Sequence, residues 1–195
     1  MNIETKVAAL EKKVGANKLL PARNPVSPRT FIQSPKYMDA KGVLYPAILK
    51  EFQKLNSGKY SEAVLTGGIG CGKTTLALYT TIFQVYLLSC MKCPQSYFGL
   101  DPMSEIVFVF QSINAELAKN VDFGRFREMI ENSPYFKDIF SPISSSEDEI
   151  RFPKRIIVRS LTGSPSSALG QNVYGGVVDE VNFMANQLQS KKSSD

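Results

Sequence analysis

Apolar positions along the chain form two kinds of run. Ala63-Val64-Leu65, Ile106–Phe110, Ile156-Ile157-Val158 and Gly176-Val177-Val178 are short and apolar at nearly every position, the pattern of strands buried on both faces. Leu76–Met91 is long and mainly apolar, and predicts a buried helix over about residues 73–90. From Tyr45 a shorter helix is expected, with Ile48, Leu49 and Phe52 on its apolar face and Ser57-Gly58 closing it. Residues 113–120 and 123–132 also have helical spacing, and Thr162–Gly170, rich in small residues, reads as a loop. Near the start, residues 2–14 place Val7, Leu10 and Val14 on one side before Gly15. Pro21, Pro25, Pro28 and Pro35 then mark an extended connector. The expected organisation is an arm with its connector over residues 1–35 and one α/β domain over 36–195, a mainly parallel sheet flanked by helices.

Composition removes several chemistries. The 195 residues include no histidine, which excludes Ser-His-Asp and Cys-His triads and imidazole metal sites, so a general base has to be a carboxylate or a lysine. Three cysteines are too few for a disulfide scaffold. The net charge of +5 is uneven: residues 1–60 carry 11 Lys/Arg against 4 Asp/Glu, whereas 61–195 carry 12 against 14. A basic front half suits nucleic-acid phosphates or acidic partners. Leu76–Met91 is shorter than the ~20 residues a membrane span needs, and polar residues interrupt it, so no membrane association is expected.

The chemistry begins between the first strand and the long helix. Gly67-Gly68-Ile69-Gly70-Cys71-Gly72-Lys73-Thr74 fits G-x-x-x-x-G-K-[ST] at each fixed position. A chain that leaves a strand, wraps a phosphate and enters a helix turns successive N–H groups inward, and glycines keep Cβ atoms out of the way. The helix N-terminus adds a positive dipole end. Lys73 is placed to reach β- and γ-phosphates, and the Thr74 hydroxyl to coordinate Mg²⁺.

A second element follows 105 residues downstream, where Gly176-Val177-Val178 runs into Asp179-Glu180. A strand ending in an acidic pair sets both carboxylates at the sheet edge where α/β ligands bind. Asp179 is expected to hold Mg²⁺ through water and Glu180 to activate the attacking water, which favours ATP hydrolysis. Among Arg125, Arg127, Arg151, Arg155 and Arg159, the last lies nearest a strand's carboxyl end and is the candidate for the γ-phosphate. Arg125 and Arg127 read as an exposed helix face. Cys90 and Cys93 form a C-x-x-C with no further ligands to complete a zinc site, and read as ordinary thiols at a helix end. Phe123, Phe126, Met129 and Ile130 have core spacing rather than that of a base-stacking platform.

Together TGGIGCGKTTLA, the SPYF segment at Ser133–Phe136 and SLTGSPSSALGQNVYGGVVDEVNFM resemble the ATPase domain of tailed-bacteriophage large terminases, over roughly residues 35–190. The resemblance implies a P-loop NTPase fold of the RecA-like type and a motor that couples ATP hydrolysis to movement of double-stranded DNA into a procapsid in the host cytoplasm. It implies ATP and Mg²⁺ as ligands, with Gly67 to Thr74 on the phosphates, Thr75 and Tyr45-Pro46 near the nucleotide, Asp179 on magnesium and Glu180 as the catalytic carboxylate. Implied partners are DNA gripped through phosphates, a portal, a small terminase subunit and further copies in a ring. The chain departs from the family in having no arginine in the loop, which carries Ile69 and Cys71, and Leu169 rather than arginine before Gly170. Only 15 residues follow Glu180, so the family's next strand and its nuclease domain are not expected in this chain. The alternatives are another RecA-like ATPase or helicase, and an assembly module that binds nucleotide with little hydrolysis.

Overall fold

The computed structural model describes residues 22–68, 70–111, 122–161 and 170–179. The expected helices at 2–14 and 113–120, residues 162–169 of the small-residue loop, Ile69 and Glu180 lie outside the described residues. The elements in order are α1 (Pro28–Gln33), α2 (Pro46–Leu55), α3 (Lys73–Cys90), α4 (Pro94–Tyr97), β1 (Ile106–Gln111), α5 (Gly124–Asn132), α6 (Pro134–Asp138), β2 (Ser144–Ser145), β3 (Glu149–Phe152), β4 (Ile156–Leu161) and β5 (Val173–Val178).

These strands form one mixed sheet in the order β2-β3-β4-β1-β5. β1 pairs in parallel with β4 on one side and with β5 on the other, and β3 and β2 are added antiparallel beyond β4. β1 is the centre because each of its apolar residues has somewhere to go. Ile106, Phe108 and Phe110 join the main core, while Val107 and Val109 meet Leu161 on the other face. α3 covers the first face. Eleven of its 18 residues are buried, so the helix is apolar around most of its circumference, as its sequence predicts.

Two predicted elements differ. The Pro-rich stretch is not extended throughout: Pro28 occupies the first turn of α1, where its missing N–H is not needed, and Ser27 Oγ accepts from Thr30 N at 3.1 Å. Phe31 and Ile32 are buried, with the Phe31 ring stacked 4.6 Å from Tyr86 of α3. Ala63-Val64-Leu65 is not a strand. Three apolar residues fix no register of their own, and none of the five described strands pairs with them. Val64 is 80% exposed.

The direction of α3 follows from its far end. Lys154, just ahead of β4, donates its ammonium to the carbonyls of Ser89 and Met91, and Gln95 Nε2 donates to Lys154 O at 2.7 Å and to Ser104 O at 3.1 Å. Burial, and then the Arg23 charge, hold the Lys154 ammonium below the ordinary lysine range. Tyr174, at the start of β5, donates to Gln84 Oε1. The carboxyl end of α3 therefore lies at the edge where β1, β4 and β5 begin, and Lys73 at the edge where they finish. No helix among the described residues is long and apolar enough to cross a membrane.

Candidate phosphate-binding site

The glycine-rich segment enters α3 through strained backbone that its sequence is built for. Gly67, Gly70 and Gly72 have φ of 146°, 78° and 85°. At Gly72 an added Cβ would also stand 3.2 Å from Ile48 Cδ1, so α2 closes against the start of α3. At Gly68 and Gly70 an added Cβ would meet nothing within 4 Å. Gly72, at the N-cap of α3, has no side chain with which to answer the first N–H groups of the helix.

Lys73 folds back over the loop. Its ammonium donates to Gly67 O at 2.8 Å and Gly68 O at 2.7 Å, with Cys71 Sγ at 3.6 Å. Carbonyl oxygens attract this cation as phosphate oxygens would, though with less charge. A cavity of about 250 Å³ opens beside it, lined by Ile48, Glu51, Val64, Leu65, Thr66, Cys71, Lys73 and Leu76. The apolar triplet expected as a strand is thus part of the wall of this cleft. Glu51, which pairs with Lys54 at 3.6 Å, was not apparent from its place on a surface helix.

β5 brings the acidic end to the same edge. Asp179 N donates to Gln111 O at 2.9 Å, extending the β1–β5 ladder by one residue and fixing Asp179 at the carboxyl end. β5 is less buried than its valines predict, because it ends the described sheet: Val173 and Val178 are 43% and 48% exposed. Glu180, the next residue, is outside the described set. Among the described residues no group of three or more acidic or thiol side chains gathers to hold a metal.

The arginines separate clearly. Arg159 is committed elsewhere: it pairs with Glu149 at 2.8 Å and with Glu105 at 3.8 Å. By strand alternation it shares the face of Ile157 and Leu161, opposite the one that carries Val158 and packs with α3. Arg151 and Arg155 also meet Glu105. Arg125, expected on a plain exposed face, places Nη2 3.4 Å from Thr75 Oγ1 in the first turn of α3. Its spacing gave no sign of this, because the contact spans 50 residues and depends on how α5 crosses α3. Cys90 is buried, and burial pushes its thiol up, consistent with a structural role for the C-x-x-C.

Comparison with known proteins agrees with this geometry. No curated protein and no solved structure matches the chain. A family model does match, over residues 31–192, which include the loop, α3, the sheet and the acidic pair. Its description is "Uncharacterized protein MJ0330, N-terminal P-loop domain". The chain belongs to this family, and is an α/β P-loop domain of the nucleotide-binding kind.

Proposed function

We propose that this domain hydrolyses ATP and that hydrolysis drives the movement of double-stranded DNA, the activity its resemblance to phage packaging ATPases implies. The observation that supports it most is the placement of Lys73, at the start of α3, and Asp179, at the end of β5, toward the same edge of the sheet. Lys73 exchanges the Gly67 and Gly68 carbonyls for β- and γ-phosphate oxygens. Thr74 and Asp179 hold the magnesium shell, and the ion, when bound, neutralises charge developing between those phosphates. Glu180 accepts the proton of the attacking water. With Arg159 occupied by Glu149, the arginine at the γ-phosphate comes from a neighbouring copy in a ring, at the portal and beside a small terminase subunit.

Two variants separate the carboxylate roles. Glu180→Gln keeps shape but cannot accept a proton, so turnover falls by about 10²-fold or more while magnesium–ATP binding is retained. Asp179→Asn weakens the magnesium-dependent part of binding itself. Equilibrium binding with and without Mg²⁺, alongside phosphate release by the assembled protein, checks both. Loss of binding in Glu180→Gln with intact binding in Asp179→Asn would reverse the assignment.

The DNA part of the proposal rests on charge. Between residues 22 and 60, Arg23, Arg29, Lys36, Lys41, Lys50, Lys54 and Lys59 are all exposed, against only Asp39 and Glu51. Contacts to phosphates make affinity for duplex DNA fall steeply between about 50 and 200 mM salt, with no dependence on sequence. Fluorescence anisotropy with two unrelated duplexes measures this, and a flat salt response removes DNA from the proposal.

A further inference from the structure

Arg125 is unlike the other arginines near the sheet. Arg151, Arg155 and Arg159 each face Glu105 or Glu149, and Arg127 donates to Ser146 O at 3.0 Å. Arg125 is exposed, and among the described residues no carboxylate pairs with it. Among the described residues it hydrogen-bonds Thr75 Oγ1 at 3.4 Å, a contact that is long and neutral at the acceptor, a weak hold on a guanidinium with five donors. Burial pushes the phenol of Tyr79, one turn further along α3, up, and the Arg125 charge pulls against that rise. The guanidinium therefore lies along the Thr75–Tyr79 side of α3, at the helix's positive end, where like charge repels it unless an anion is present. Lys73, the uncapped N-terminus of α3 and Arg125 are three positive features around one loop.

We propose that Arg125 is a further ligand of the nucleotide, supplied by α5, that leaves Thr75 to bind the phosphates shared by ADP and ATP. The assignment follows from the helix itself. In the proposed site Lys73 meets the β- and γ-phosphates and Thr74 the magnesium ion, and Thr75, the next residue of α3, is turned about 100° further round the axis, on the side where Arg125 lies. A bidentate guanidinium suits two phosphate oxygens. Arg125 thereby ties α5, which follows β1, to nucleotide occupancy.

The inference rests on the nucleotide site proposed above, and the experiment keeps the two apart. Fluorescent ADP and ATP analogues are titrated with Mg²⁺ into the parent, Arg125→Ala, Arg125→Gln, Arg125→Lys and Lys73→Ala. Arg125→Ala and Arg125→Gln are expected to bind both nucleotides about tenfold more weakly, and Arg125→Lys to recover part of the loss. Arg125→Lys keeps the charge, so a larger loss in Arg125→Gln than in Arg125→Lys, at an unchanged melting temperature, reports charge rather than folding. Unchanged affinity in the Arg125 variants while Lys73→Ala is impaired overturns the inference alone, and so does a loss confined to ATP. Unchanged affinity in Lys73→Ala overturns the site and the inference together.

Discussion

Lys73→Ala is expected to weaken magnesium–ATP binding by about 2–4 kcal/mol, roughly 30- to 700-fold, with the fold intact. The ammonium already lies on the loop, 2.8 Å from Gly67 O and 2.7 Å from Gly68 O. Its removal takes away the charge that meets the β- and γ-phosphates and loosens the closed form of the loop. Because those hydrogen bonds are exposed, the melting temperature should scarcely change, which distinguishes a binding defect from unfolding. Calorimetric titration alongside a thermal melt provides the check. An affinity equal to the parent's would refute the phosphate-loop assignment.

Gly176→Ala should be the most damaging small substitution in the sheet. A Cβ built there would lie 2.3 Å from Val109 O and 2.7 Å from Val109 Cγ2, and the nearer atom belongs to backbone that has no room to move. β5 pairs closely with β1 at this point, Val109 opposite Gly176, just after a register shift between Val107 and Phe108. Separating the strands costs about 2–4 kcal/mol, a fall of roughly 5–12 °C in melting temperature for a domain of this size. It also displaces Asp179, three residues on, so magnesium-dependent binding is lost as well. Gly175→Ala is the control, since its Cβ would meet only the Phe108 ring at 3.8 Å. Equal stability of the two variants would show that the close approach is not what requires glycine.

What was legible in the sequence follows from range. α3 is long, and β1 and the first half of β4 are apolar at nearly every position, so their own residues specify them. The loop was legible because positive φ and close approach demand glycine at fixed spacing. Ala63-Val64-Leu65 has the composition of a strand, but strand formation depends on a neighbour that the triplet does not specify. The β2–β3 hairpin escaped notice because Ser144-Ser145 is polar and two residues long, and the alternation in Glu149–Phe152, with Ile150 and Phe152 buried, spans only four residues. α1 was hidden by its prolines, one of which is a good first residue for a helix. Arg159 and Arg125 exchanged prominence for a similar reason. Nearness to a strand end does not say which face of the sheet a side chain takes, and helical spacing does not say which helix lies across the gap.

The brace at the far end of α3 has a mechanical consequence. Lys154 sits in left-handed backbone, φ 61°, and grips the last turn through two carbonyls, while Gln95 ties Lys154 to the approach to β1. One end of this 18-residue rod is bolted to the base of two strands, and the other rests on glycines. A rod held in this way pivots at its bolt and does not slide. At the glycine end the neighbours that a displacement would reach first are Ile48 of α2 and Arg125 of α5.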